Sequence, residues 1–145
     1  MQITLQVRNA QLVGKGLANI RAEIPRISER TIKKAADKIV KTMKIYPSKR
    51  PGQRYVRTFR FQNSWRIKRS ATGFTISANP IDKGTNYGRY VVGDFAGTIG
   101  SGGQAWMHVG RWLLFRDVAE REVSQLPPMV EEQVRMKVKQ EGLAP

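Results

Sequence analysis

From residue 24 onward, apolar or small side chains recur at three- and four-residue steps: Ile24, Ile27, Thr31, Ala35, Ile39 and Met43. That spacing predicts one buried face of a helix, entered at Ile24-Pro25 with the proline near its first turn and running to about Lys44. Arg26, Arg30, Lys33, Lys34, Lys38, Lys41 and Lys44 fall mostly off the stripe, so the rest of the helix surface is cationic. Upstream, Met1-Gln-Ile-Thr-Leu-Gln-Val-Arg8 alternates with a period of two and predicts a strand, with Gly14 and Gly16 as punctuation before the helix. Downstream, Tyr46 to Gln53 contains Pro47, Pro51 and Gly52 and cannot continue a helix; it predicts an exposed basic loop.

From Ser64 the period changes to two. Trp65 and Ile67 share a face, Thr72-Gly73 supplies a turn, and Phe74, Ile76 and Ala78 share a face on the return, which predicts a β-hairpin ending at Asn79-Pro80. Tyr87 to Val92 predicts a third strand, and Gly93 to Gly110 a long glycine-rich loop carrying Phe95, Trp106 and His108. Trp112, Phe115, Ala119 and Val123 mark a helix that stops at Pro127-Pro128. Val130, Val134 and Val138 mark a final short one, with Glu131-Glu132 complementing its amino-terminal end. The order predicts an α+β fold: a small antiparallel sheet, made of a β-hairpin plus additional strands, packed against one long N-terminal helix, with short C-terminal helices. A length of 145 residues predicts a single domain over 1–145.

Composition narrows the class. Hydrophobic residues at 40% with 26% charged predict a folded, soluble chain, and no apolar run approaches the length of a membrane span. The first residues lack the features of a secretory signal. Without cysteine, neither disulfides nor thiolate chemistry is available. The formal charge of +15 is lopsided: residues 1–70 hold 18 Lys and Arg against Glu23, Glu29 and Asp37, whereas residues 71–145 hold eight basic and eight acidic groups. A one-sided cationic field calls for an anionic partner, either nucleic acid or an acidic protein surface.

Catalytic chemistry finds little support. One histidine and dispersed carboxylates do not make a metal or acid–base site, so neither a cofactor nor a metal is expected. Ser64, Ser101 or Ser124 with His108 and Asp94 would supply the residue types of a triad, yet no nucleophile-elbow sequence surrounds any of the serines. Gly97 to Gly103 is followed by Gln104-Ala105 rather than the Lys-Ser/Thr of a phosphate-binding loop. In the stretch from Lys49 to Arg69, arginines interleave with Tyr55, Phe59, Phe61 and Trp65, a composition that holds phosphates and stacks bases. The alternative is that Phe61 and Trp65 enter the core and the arginines are solvated. No helix-turn-helix, zinc-finger or RNP signature is present.

The order of short motifs carries a resemblance. Tyr46-Pro47, then Tyr55-Val-Arg57-Thr58, Phe61-Gln-Asn-Ser64-Trp65, Tyr87-Gly-Arg-Tyr90-Val-Val-Gly93 and Gln104-Ala-Trp106-Met-His108-Val-Gly-Arg111-Trp112 together resemble the head–tail joining, or tail-completion, family of tailed bacteriophages and prophages, over roughly residues 15 to 140. Where that family has glycine and leucine in an Arg-Thr-Gly-x-Leu-x-x-Ser pattern, this chain has Phe59 and Phe61; losing the glycine predicts a different turn before the hairpin. The resemblance implies a non-enzymatic virion component, assembled in the host cytoplasm as a homo-oligomeric ring in the neck. Its neighbours would be connector or portal-side and tail proteins, without a membrane, and genomic double-stranded DNA would pass through the ring. On that reading Lys33, Lys34, Lys38, Lys41, Lys49, Arg50, Arg54, Arg57 and Arg60 are candidate contacts to DNA or an acidic partner, and Phe95, Trp106 and His108 candidate subunit contacts. The other reading is a nucleic-acid-binding accessory protein acting outside any virion.

Overall fold

The structure, a computed structural model, describes residues 10–52, 58–93 and 103–143. The strand expected over residues 1–8 lies outside them, as do Arg54, Arg57 and Phe95. The elements run α1 (Ala10–Met43), α2 (Arg60–Ser64), β1 (Trp65–Ser70), β2 (Gly73–Ala78), β3 (Ile81–Asp82), β4 (Thr85–Asn86), α3 (Gly88–Val92), α4 (Phe115–Ser124) and α5 (Leu126–Gln140). This is the expected α+β class, with one long N-terminal helix, small antiparallel sheets and C-terminal helices. Two compact units are formed, one from residues 1–31 with 126–145 and one from residues 32–125.

In the first unit, α1 begins 15 residues earlier than Pro25, which sits inside the helix. Proline there removes one amide donor and leaves the Arg21 carbonyl without its helical partner; Arg21 and Pro25 are both exposed, so water satisfies that group. Gly16 does not interrupt the helix either. A Cβ on Gly16 would stand 3.0 Å from Leu143 Cδ1, so the glycine admits the Leu143 side chain against the helix backbone. Asn19 Nδ2 donates to Glu141 Oε2 at 3.1 Å, and Lys137 pairs with the same carboxylate at 2.7 Å. These donors hold the Glu141 carboxyl below its ordinary pKa, Lys137 first and Asn19 second. Helix α5 takes Pro127 and Pro128 into its first turn, where missing amide donors cost nothing. Glu131 therefore falls in the second turn and pairs with Arg135 at 2.8 Å instead of capping the helix start.

In the second unit, the last turns of α1 bury Ala35, Ala36, Ile39, Val40 and Met43. The β1–β2 hairpin is antiparallel with Trp65 opposite Ala78 and Ile67 opposite Ile76, and a two-residue connection, Ala71-Thr72, joins Ser70 to its partner Gly73. Trp65, Ile67, Ile76 and Ala78 thus share the face turned to the core, as the alternation required. Gly73, at φ 147°, occupies backbone space that a side chain disfavours. A second, minimal hairpin, β3–β4, turns through Lys83 and Gly84, both at positive φ as a type I′ turn requires.

The third strand expected over Tyr87 to Val92 is instead one turn of helix, α3. The buried residues are Gly88, Val91 and Val92, at spacings of three and four, which a strand would have split between its two faces. The Asn86 side chain accepts the Gly88 amide at 2.9 Å and starts the turn; Gly93, at φ 77°, donates to the Arg89 carbonyl at 2.8 Å and closes it. Pro80, fully buried, packs so closely that a Cβ on Gly88 would meet its ring at 3.1 Å.

Phe59 precedes α2 at φ 57°, in the left-handed region. A non-glycine residue there costs about 1–2 kcal/mol. The turn before the hairpin therefore adopts the positive φ that glycine would take cheaply, despite the bulky side chain. Phe59 is half exposed, and its ring meets Tyr46 edge-on at 5.9 Å. Both Phe59→Gly and Phe59→Ala lose that contact, but only glycine escapes the backbone penalty. In urea unfolding, Phe59→Gly is expected to exceed Phe59→Ala in stability by about 1 kcal/mol, the reverse of the usual order in regular structure; the usual order would refute strain at this position.

Candidate functional site

The second unit contains a chain of aromatic contacts. Trp65 stacks on Phe115 at 5.7 Å, Phe61 meets Trp65 edge-on at 5.5 Å and Trp112 at 5.3 Å, and Trp112 meets Tyr46 at 5.0 Å. Phe61 and Trp65 are 2% and 5% exposed, which removes both from any role in stacking on bases. The inner end of the chain is core, and the outer end opens into a cleft of about 740 Å³.

Tyr46, Tyr87 and Trp112 form apolar walls of this cleft, the residues Pro47 to Gly52 form one rim, and the turn from Trp106 to Arg111 forms another. Two polar clamps hold the second rim. Gln104, 1% exposed, donates through Nε2 to the Val91 carbonyl at 2.5 Å and to the Trp112 carbonyl at 3.1 Å, and the Ala105 amide donates to the Tyr90 carbonyl at 2.9 Å. Arg111 Nη2 donates to the Ser48 carbonyl at 3.2 Å and ties the two rims together. In the sequence, Gln104 stands out only as the first residue of the Gln104-Ala-Trp106 motif. A buried amide bridging two carbonyls leaves no periodic signal.

His108 lies half-buried in the wall, edge-on to Trp112 at 6.4 Å, and its Nδ1 is buried with no hydrogen-bond partner among the described residues. Burial, and secondarily the nearby Arg111 guanidinium, push the imidazole pKa below its ordinary value of 6.5, so the ring is neutral at pH 7. Among the described residues of the cleft, the cations at that pH are Arg50 and Arg111. Trp106, by contrast, is 82% exposed, and Met107, Val109 and Leu113 are also exposed. Four apolar side chains within eight residues stand open to water on this segment.

The cationic candidates divide into groups. Lys34 and Lys41 project from α1 into solvent and Lys49 is exposed beyond its end; none of the three makes an ion pair with the described residues. Lys33 pairs with Asp37 and Arg60 with Asp82, each at 2.7 Å and each more than half exposed on both sides, so these pairs contribute only a few tenths of a kcal/mol and the cations stay available. Arg50 is exposed on the cleft rim.

Lys38 serves the fold. Its Nζ lies 2.7 Å from Glu122 Oε2, and Arg121 Nε lies 3.2 Å from Oε1 of the same carboxylate, whose side chain is 3% exposed. The Lys38 hydrogen bond is the main cause holding the Glu122 carboxyl below 4.5, against burial, which acts to raise it; Arg121 adds to the lowering. Charge pattern alone does not separate Lys38 from Lys34 or Lys41, because its partner lies 84 residues away.

Among the described residues, no group of three or more His, Cys, Asp or Glu stands close enough to hold a metal ion. Ser64 and Ser124 donate their hydroxyls to Phe61 and Arg121 carbonyls within their own helices, and neither faces His108 in a triad. Ser101 and Asp94 lie outside the described residues. No helix is long and apolar enough to cross a membrane among the described residues. Comparison with known proteins found no matching family model, no matching curated protein and no matching solved structure.

The Glu122 pair has a pH signature. Its folded pKa is depressed, so its contribution is complete above the ordinary carboxylate value of 4.5 and is lost as pH falls through the lower folded value. Lys38→Met is expected to cost about 1–2 kcal/mol at pH 7, less than for a fully enclosed pair because Lys38 is more than half exposed. The deficit should hold from pH 6 to about 4.5 and then shrink as urea midpoints are measured at more acid pH. A constant deficit across that range would mean that lost packing, not charge, accounts for it.

Proposed function

We propose that this chain is a structural component of a tailed-phage virion, assembling as a ring in the neck that joins the DNA-filled head to the tail and lets the genome pass. The observation that carries the proposal is the separation of surfaces within the second unit. The α1 turns present Lys33, Lys34 and Lys41 to solvent, while the segment Trp106 to Leu113 presents uncovered apolar groups. A Trp that is 82% exposed gains most when a neighbouring subunit covers it. A ring uses one such heterologous contact repeatedly around its axis. The cationic side chains make no base-reading motif, and their role in a channel is to hold phosphates without regard to sequence. The family resemblance in motif order supports the same reading.

The lysines favour a second reading, a nucleic-acid-binding accessory protein acting outside any virion, because Lys34, Lys41 and Lys49 have no ion-pair partners among the described residues. In that case the purified monomer binds duplex DNA, with affinity falling steeply as salt rises.

Particles assembled without this chain are expected to accumulate as filled heads and separate tails that fail to join, visible by negative-stain electron microscopy. Normal joined virions from such a deletion would overturn the neck reading. Tight, salt-sensitive DNA binding by the monomer, together with normal virions, would establish the accessory role.

A further inference from the structure

The outer face of the β1–β2 hairpin is polar and is held in place by its inner face. Trp65, Ile67, Ile76 and Ala78 turn to the core, so alternation sends Arg66 and Lys68 of β1 and Thr75 and Ser77 of β2 outward, and all four are exposed. The register sets each cation directly across from a hydroxyl, Arg66 opposite Ser77 and Lys68 opposite Thr75. Cross-strand neighbours lie about 5 Å apart and successive outward residues about 7 Å apart, so two cations and two hydroxyls form one compact set of donors. Lys68 makes no ion pair or hydrogen bond with the described residues. Arg66 is tethered but not neutralised. Its Nη1 donates to the Asn63 carbonyl at 2.6 Å and the Trp65 carbonyl at 2.9 Å; carbonyls carry no net charge, and Nε and Nη2 make no bond with the described residues.

The surrounding sequence reinforces the sign of this face: from Lys38 to Ile81 the chain holds 11 Lys and Arg and no Asp or Glu. A protein partner gains most from an apolar centre that it can cover, and the four outward side chains offer none. Phosphates, in contrast, are held by Lys and Arg charge together with Ser and Thr hydroxyls, and a two-stranded ribbon is narrow enough to lie along the groove of a duplex. We propose that this hairpin face binds the phosphate backbone of double-stranded DNA, with Lys68 and the outer edge of the Arg66 guanidinium on phosphate oxygens and Thr75 and Ser77 donating their hydroxyls beside them. Contact with phosphates alone makes the binding independent of base sequence. The site rests on the reading, common to both roles proposed above, that the chain meets DNA, and it adds a binding element separate from the lysines of α1.

The test titrates the full chain into two short labelled DNA duplexes of unrelated sequence and follows fluorescence anisotropy from about 50 to 200 mM salt. Lys68→Ala, at an exposed side chain with no bond among the described residues to lose, is expected to weaken both duplexes about threefold and to flatten the dependence of log affinity on log salt by about 1. Thr75→Val keeps the shape of its side chain and loses the hydroxyl; it should weaken both duplexes about threefold with the salt slope unchanged. Lys139→Ala removes the same charge from an exposed position on α5 and should leave the slope as it was. Duplex binding that Lys68→Ala and Lys139→Ala weaken equally would overturn the site while leaving the DNA reading intact. A chain that binds neither duplex would sink the site and the accessory role together, with the neck role judged separately on particle assembly. Loss of affinity for only one of the two sequences would rule out contact through phosphates alone. Displacement of the duplex by polyglutamate at equal charge concentration would reassign the face to an acidic protein.

Discussion

The contact on which most of the second unit depends is the packing of Phe61 and Trp65 against the last turns of α1. Met43, 2% exposed, and its neighbours Ile39 and Val40 supply an aliphatic surface; Phe61 and Trp65 cover it, and Val91, Val92 and Val118 close the cluster. Each aromatic ring is placed by a different local device. Phe61 follows the left-handed turn at Phe59, Trp65 opens the hairpin, and Trp112 is fixed through its carbonyl by Gln104. Edge-to-face geometry among the rings adds about 0.5–1.5 kcal/mol per pair to the area they bury. The cluster thus joins segments distant in sequence in a chain that has no cysteine to tie them.

The same ring chain links fold to surface. Its inner members are core, and its outer members, Tyr46 and Trp112, are walls of a cleft whose rims are held by backbone-directed hydrogen bonds from Gln104 and Arg111. A surface cleft built on core aromatics is stiff, because moving its walls disturbs the packing beneath them. Trp106 and Met107 stand on the turn that those bonds secure, which lets exposed apolar groups be held in position instead of collapsing onto the body of the protein.

Charge has two separate uses here. Lys38 and Arg121 neutralise the buried Glu122 carboxylate and couple α1 to α4, a contact of the folded state. Lys33, Lys34 and Lys41 stay at the solvent-facing surface, where their field acts on whatever approaches. Four-residue spacing places Lys34 and Lys38 nearly above one another on the helix, so a difference of about 40° around the axis separates a structural lysine from a free one.

Legibility followed the range of the determining interaction. Of the apolar stripe, Ile27, Thr31, Ala35, Ile39 and Met43 are buried as their spacing required while Ile24 at its start is exposed; the shared faces of the hairpin followed from alternation, although its turn falls at Ala71-Thr72 and not at Thr72-Gly73. The helix start was misplaced because Gly16 and Pro25, ordinary punctuation in sequence, are tolerated here by the close approach of Leu143 and by solvent at the Arg21 carbonyl. Val91-Val92 suits a strand by composition; the Asn86 side chain and the buried Pro80 impose a helical turn. Of the candidate site, the sequence by itself determined the cationic surface of α1 and the presence of Trp106 and His108 in a loop. Only tertiary structure decided that Lys38 belongs to Glu122, that Phe61 and Trp65 are core, and that Tyr46, Arg50, Arg111 and Trp112 converge on one cleft. Those outcomes rest on contacts between residues far apart along the chain, and no local pattern encodes them.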